Sequence, residues 1–404
     1  MTKLSQIESK DWKNKALLFI LSQGISLFGS SLVEFAIIWY ITLKTNSGTM
    51  MTWGILCVFV PRLIISIFSG VWADRYNRKV LIIYADLATA FITLLLAFVF
   101  YLGYESIYII CIALALRSIA TGIQQPAINS LIPLIVPKEH LMKISGLNGS
   151  LQSLIMILSP LMSGALLSFT SLINIFLIDV VTAIIAVIIL CFVKTFIRTS
   201  DYSIKGHSYL KDLKFSWSLL RKDCFTRSII FLYAMYFFLT VPLSYLSPLL
   251  VSRTFGEDVW RLSATEVSIG IGTLLGGIII TSLKNGISLK KILVLSCIST
   301  GISVSVLPYS FYFSVFLSFI LVSGISLAFF NSSCMVLIQK RYEIHMQGRI
   351  MSMVQLFTTT AIPIGMLLWG PLGDYILIEN IYLLTGIGLI ISGLLAKKSK
   401  AIID

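Results

Sequence analysis

Charge is scarce in this chain. Only 12% of its 404 residues are Asp, Glu, Lys or Arg, against 57% apolar residues and a mean hydropathy of +0.93. A water-soluble globule cannot be built from that balance, so lipid must be the solvent for most of the chain. Histidine is scarcer still: His140, His207 and His345 all fall in short polar connections, leaving none for a proton relay at membrane depth. The six cysteines, Cys57, Cys111, Cys191, Cys224, Cys297 and Cys334, show no paired spacing. They exclude a disulfide framework or thiolate metal centre and read as reduced packing residues. No phosphate loop of the GxxxxGK[ST] kind occurs, and no HExxH or GxSxG. The first absence excludes a built-in nucleotide motor, although a separate ATPase subunit stays open as a partner. The others speak against a polytopic membrane enzyme, the alternative from a different functional class.

What is abundant is long apolar runs. Crossing a hydrocarbon core takes roughly 20 residues of helix, and twelve segments qualify: 16–43, 51–73, 80–102, 106–125, 142–168, 171–193, 228–251, 263–283, 290–309, 313–338, 347–370 and 376–396. The prediction is an all-α membrane protein. Connections on alternate sides carry the basic residues very unequally, with 26 of the 31 Lys and Arg on the side that includes both termini. Cytoplasmic loops accumulate such residues, so both termini are expected in the cytoplasm. The net charge of +13 is then topogenic, and nothing resembles a nucleic-acid groove. The first run is too long for a cleaved signal peptide and is expected to be retained.

The longest polar stretch separates six spans from six. The expected division is an N-terminal six-helix bundle over 1–193, a cytoplasmic linker over 194–227 and a C-terminal bundle over 228–404. Within the linker, Tyr209, Leu213 and Trp217 recur at helical spacing, as an amphipathic surface helix would require; a simple tether is the other reading. Gln152 and Pro160 recur as Gln355 and Pro363 at an offset of 203, which suggests that each half is a version of the other.

Between the second and third spans the sequence reads GVWADRYNRKV. It resembles the GxxxDRxGRR/K loop of the major facilitator superfamily. That resemblance implies twelve helices in two six-helix bundles around a central cavity, working by alternating access. It also implies that Gly70 allows close helix packing, while Asp74, Arg75, Arg78 and Lys79 form a cytoplasmic latch. Asn77 stands where the family has glycine and is expected there because it tolerates left-handed backbone. LRSIATG resembles the family's RxxxxG motif, carrying Arg117, and LSPLMSG resembles its antiporter signature, with Ser159, Pro160, Ser163 and Gly164. Wider stretches, VEFAIIWYITLKTNSG, RSIATGIQQPAINSLIPLIVP and FLIDVVTAII among them, resemble the macrolide-efflux branch of the family. They imply a bacterial plasma-membrane exporter driven by protons and using no cofactor. Relatives that move nutrients, siderophores or lysophospholipids keep a same-fold facilitator as the alternative.

Apart from resemblance, Glu34, Arg62, Arg117 and Asp179 are the ionisable residues deepest in the predicted spans, and charges at that depth are functional candidates. Similar depth pairs Glu34 with Arg62, and Arg117 with Asp179. Glu34 and Asp179 are the candidate proton carriers, while Asp86, nearer an end, is expected to support the adjacent loop instead. The second half offers no comparable charge. Its Tyr233, Tyr236, Phe237, Phe330, Asn331, Met353, Gln355 and Phe357 are the candidate lining of a cavity for a large amphiphilic substrate.

Overall fold

The computed structural model describes residues 3–193, 223–282 and 288–399. The linker up to residue 222, with Tyr209, Leu213 and Trp217, lies outside the described residues. Among the described residues, twelve helices are long and apolar enough to cross a membrane. They are α1 (Lys3–Thr45), α2 (Gly48–Arg75), α3 (Arg78–Tyr101), α4 (Ile107–Ile135), α5 (Leu141–Phe169) and α6 (Leu172–Phe192). After the linker come α7 (Cys224–Phe255), α8 (Val259–Ser282), α9 (Leu289–Val306), α10 (Phe313–Arg341), α11 (Ile344–Tyr375) and α12 (Ile378–Lys398). No strand occurs among the described residues. Helices are the form in which a lone segment satisfies its own backbone in lipid.

Two boundaries differ from the sequence reading for definite reasons. α4 does not stop before Pro126 but continues through it and Pro133, because membrane helices tolerate proline where neighbouring helices surround it. α7 begins at Cys224, inside the expected linker, because Asp223 caps it: the carboxylate accepts from the backbone N–H groups of Phe225 and Thr226. Further along, α7 widens into a π-helical turn at Pro242–Leu246. Proline brings no N–H to the ladder there, and the Tyr382 hydroxyl donates to the Pro242 carbonyl at 2.8 Å. Pro160 and Pro363, the proposed repeat pair, stand at the same distance from the start of α5 and of α11.

The chain divides into two compact units. One comprises Met1–Ile41 and Trp53–Thr199; the other comprises Thr42–Thr52 and Ser200–Asp404. In the first, α3 packs against α4 and α6, and the α1 residues Ala16, Phe19 and Ile20 join Ile82, Ala127 and Leu131 in a closed apolar cluster. Large apolar side chains such as Phe91, Ile112 and Val181 point outward, as lipid allows. In the second unit, α8 packs on α10 and α9 on α12. The short segment joining α1 to α2 groups with this unit rather than with the helices it connects, a departure from the expected 1–193 boundary. There Asp374 accepts from the backbone N–H groups of Gly48 and Thr49 at 2.7 and 2.9 Å and from the Ser47 hydroxyl at 2.8 Å. Those N–H groups are the free donors of the first turn of α2.

Candidate functional site

The buried charges of the first unit lie on a polar strip formed by α1, α3, α4 and α6. Arg117 on α4 and Asp179 on α6 are brought together in a salt bridge of 2.5 Å, with side chains 7% and 1% exposed. Thr93 on α3 lies between them, donating to Asp179 Oδ2 at 2.9 Å and accepting from Arg117, while Ser30 on α1 donates to Asp179 Oδ1 at 3.3 Å. The guanidinium also reaches the Ser30 carbonyl at 3.5 Å. Four helices thus meet at one ion pair, and its hydrogen bonds offset part of the desolvation that a buried pair costs.

Glu34 and Arg62 do not join in the same way. No ion pair forms between them, and Arg62 Nε is buried without a hydrogen-bond partner. The expected pairing is therefore corrected: equal depth along two helices does not put two side chains on facing sides. What α2 does bring to α4 at this level is the Ile65 side chain, which the Cβ of a larger residue at Gly122 would meet too closely, with the Arg62 backbone in ordinary contact behind it. The glycine of the RxxxxG resemblance has that steric reason.

Asp86 needs a second correction. It does not support a loop but sits 2% exposed on the face of α3 that meets α1 and α4. Its Oδ1 accepts from the Ser26 hydroxyl at 2.5 Å and from Gln124 Nε2 at 2.8 Å. The other oxygen, Oδ2, is buried with no partner. Loop proximity in the sequence concealed this, because the partners are 60 and 38 residues away.

The loop between α2 and α3 is short and locally braced. Asn77 caps α3 with its side chain accepting from the Lys79 N–H, at φ −63° and ψ 112°. Its conformation is extended, so capping rather than left-handed backbone explains asparagine at this position. Lys79 Nζ donates to the Cys191 and Val193 carbonyls at the end of α6, both at 2.9 Å, which suits a cation at a helix C-terminus. Arg78 Nε donates to the Ala73 carbonyl at 3.0 Å, and Arg75 is exposed. Gly70 has nothing within 4 Å of where a Cβ would stand, so the close packing implied for it is absent in this conformation. The Asp74 side chain lies outside what is described. In α5, Ser159, Pro160 and Gly164 are all buried, and Ser163 donates to the Leu32 carbonyl of α1 at 3.1 Å. This small-residue face lets α5 lie close to α1.

In the second unit an aromatic cluster spans α7 and α10. Tyr236 stacks on Phe330 with ring centroids 3.8 Å apart, and Tyr233 meets both Phe330 and Phe237. Tyr233 donates to Asn331 Oδ1 at 3.1 Å. Tyr236 and Phe330 are 0% exposed and Tyr233 and Met353 are also buried, so these four of the proposed cavity residues form the wall behind a surface rather than the surface itself. Phe237, Asn331 and Phe357 are half-buried and Gln355 is exposed. The second half also holds a membrane-depth carboxylate that the sequence reading missed. Helix α8 begins at Val259, four residues before the predicted span, which carries Glu266 two turns inside.

A family model described as Major Facilitator Superfamily matches residues 19–287. Macrolide efflux protein A of Streptococcus pyogenes is 30% identical over 379 residues, covering 93% of each chain. A protein of the same description from Enterococcus faecalis is 29% identical over 311 residues, 76% of this chain and 96% of that one. Among solved structures, the D-xylose–proton symporter superposes with a TM-score of 0.75 at 14% identity, covering 95% of this chain and 97% of the other. A bacterial homologue of the iron transporter ferroportin does so with a TM-score of 0.71 at 18% identity, covering 96% and 99%.

Proposed function

Because the chain belongs to the Major Facilitator Superfamily, we propose that it is a proton-coupled exporter of amphiphilic drugs, macrolides among them. The reading places it in a bacterial plasma membrane with both termini in the cytoplasm, working by alternating access. The observation that carries it is the 30% identity over 93% of both chains with a macrolide efflux protein. The proton gradient supplies the energy and no cofactor takes part. Carboxylates within the spans provide the place for exchange: Glu34 and Asp179, with Arg62 and Arg117 near them in depth, are the coupling groups of this reading. Gly70, Asp74, Arg75, Arg78 and Lys79 act as the cytoplasmic latch, and Ser159, Pro160 and Gly164 let α5 bend and pack. Phe237, Asn331, Gln355 and Phe357 offer aromatic and amide contacts to a large apolar substrate, with Tyr233 behind them.

Expression in a macrolide-sensitive bacterium should raise resistance, and purified protein in liposomes should accumulate a labelled macrolide against its gradient when an opposing proton gradient is imposed. Accumulation that ignores the proton gradient overturns coupling. Uptake of a labelled nutrient, siderophore or lysophospholipid without macrolide transport would establish the same-fold facilitator instead.

A further inference from the structure

The polar strip of the first unit contains two carboxylates in unlike surroundings. Their partners repeat along the same helices: Ser26 and Ser30 are one turn apart on α1, Asp86 and Thr93 two turns apart on α3, and Gln124 and Arg117 two turns apart on α4. Asp179 is met by a guanidinium and has donors on both oxygens. Asp86, as buried, is met only by a hydroxyl and an amide, both on Oδ1, while Oδ2 faces no partner. Gln23, on the same side, lies 3.4 Å from the Gln124 amide and brings no charge. The charged groups on the helices around it are few. Arg117 is the one charge on α4 and Asp179 the one on α6, and these are spent on each other. Glu34 on α1 lies eight residues past Ser26, roughly 12 Å along the axis, and on α3 itself Arg78 and Lys79 at its first turn donate to the Ala73, Cys191 and Val193 carbonyls. A lone anion so placed lacks the compensation that a buried charge needs.

We propose that Asp86 is the proton-exchanging carboxyl of this transporter, and that Ser26 and Gln124 are its positioning residues. In one state a hydronium ion gives its proton to Oδ2, leaving water and a neutral acid. In the other state Oδ2 returns that proton to water on the opposite side, so one proton crosses with no other bond made or broken. The two donors hold Oδ1 in both states and leave Oδ2 as the oxygen that takes the proton. The proposal rests on proton-coupled export and moves the exchange from Glu34 or Asp179 to Asp86, with the Arg117–Asp179 pair as the fixed neighbour.

Infrared difference spectroscopy of the purified protein in liposomes, between alkaline and acidic buffer, tests the proton site without any substrate. A carbonyl stretch of a protonated carboxylic acid should appear on acidification, vanish in Asp86→Asn and persist in Asp179→Asn. Persistence in Asp86→Asn, or loss in Asp179→Asn alone, overturns the assignment. If Asp86→Asn does not fold, Ser26→Ala keeps the carboxyl and should move the titration midpoint of the band; an unmoved midpoint overturns it equally. In the transport arm, Asp86→Asn should lose macrolide accumulation on a proton gradient by tenfold or more, whereas retained accumulation refutes the proposal and leaves export standing. Wild-type protein that accumulates no macrolide would fail the functional reading, while the infrared band still decides whether Asp86 binds the proton.

Discussion

The two units hold their helices together by different means. In the first, α1, α3, α4 and α6 are joined by side chains: a salt bridge, three hydroxyls and two amides in one strip. Where its glycines are crowded, the nearest neighbours are side chains, Leu151 at Gly24 and Thr182 at Gly29. In the second unit some helices also touch backbone to backbone. Gly272 and Gly276 of α8, a GxxxG pair, face the Leu321 and Ile325 carbonyls of α10, and Gly301 of α9 faces the Gly386 carbonyl of α12. Backbone contact cannot be rearranged without separating the helices, whereas a polar strip can exchange partners and protons in place. The backbone contacts of the second unit are therefore expected to tolerate added volume least.

The largest effect expected from breaking this contrast is at the backbone contacts of the second unit. A Cβ at Gly301 would stand 2.6 Å from the Gly386 carbonyl oxygen, and one at Gly276 would stand 2.7 Å from the Ile325 oxygen. Neither neighbour can yield as a side-chain tip would, so Gly301→Val and Gly276→Val should abolish monodisperse protein in size-exclusion chromatography. Overpacking by a single methyl, as in Gly301→Ala, is expected to cost about 1–3 kcal/mol. Gly24→Ala meets the flexible end of Leu151 and should be milder. Equal losses in thermal-shift assays for Gly24→Ala and Gly301→Ala would remove the distinction.

The next effect belongs to the strip. Removing one member of a buried pair leaves the other uncompensated, so Arg117→Gln alone should destabilise by roughly 3–5 kcal/mol, and adding Asp179→Asn should recover part of that. Glu34→Gln and Arg62→Gln, which share no ion pair, should combine close to additively. Paired double-mutant cycles by thermal unfolding in detergent would reverse the argument if Glu34 and Arg62 coupled more strongly than Arg117 and Asp179.

The twelve spans were legible in the sequence because lipid leaves one solution to a run of about 20 apolar residues. Their joint packing was legible only where a motif or a matching depth marked it. Depth alone paired Arg117 with Asp179 and Glu34 with Arg62; only the first pair forms, because depth says nothing about the angle around a helix. Asp86 was misread for the opposite reason. It stands near the start of α3, and only the fold brings Ser26 and Gln124 to it. Glu266 was passed over because it lies only three residues inside the predicted span that starts at 263, whereas the helix begins at Val259 and puts it two turns in.

A smaller effect is expected at the loop where the two readings of GVWADRYNRK separate. If its charges only set topology, Asp74→Asn leaves transport unchanged. If they latch one conformation, the variant should insert and express normally but lose transport on the order of tenfold, the size of a shift of 1–2 kcal/mol between two states. Surface expression together with initial rates of macrolide transport in whole cells separates the outcomes. Normal rates would return these residues to a topogenic role.

The smallest effect concerns two helix caps outside the membrane, one in each unit. Asn77 caps α3 with a neutral amide, whereas Asp223 caps α7 with a carboxylate that also accepts from Thr226 Oγ1 and from the Tyr342 hydroxyl after α10. Burial pushes the Asp223 carboxyl up, but the hydrogen bonds from Thr226, Tyr342 and the Phe225 and Thr226 N–H groups outweigh it and hold the group below its ordinary value of 3.8. Tyr342 is pushed the other way, to about 12, by burial and by its hydrogen bond to Asp223, so it stays a donor across the working range. Because the folded value is the depressed one, the stabilisation is present in full above the ordinary value and is lost as pH falls through the lower folded value. Asp223→Asn keeps an acceptor for the cap but loses the charge. It should remove this acid-dependent contribution, while Asp223→Ala should cost about 1 kcal/mol near neutrality. Asn77→Ala should cost a similar amount at every pH, since an amide does not titrate. Thermal unfolding from pH 7 down to pH 3 would test the contrast, and a common pH dependence for the two alanine variants would show that Asp223 contributes as a hydrogen-bond acceptor alone.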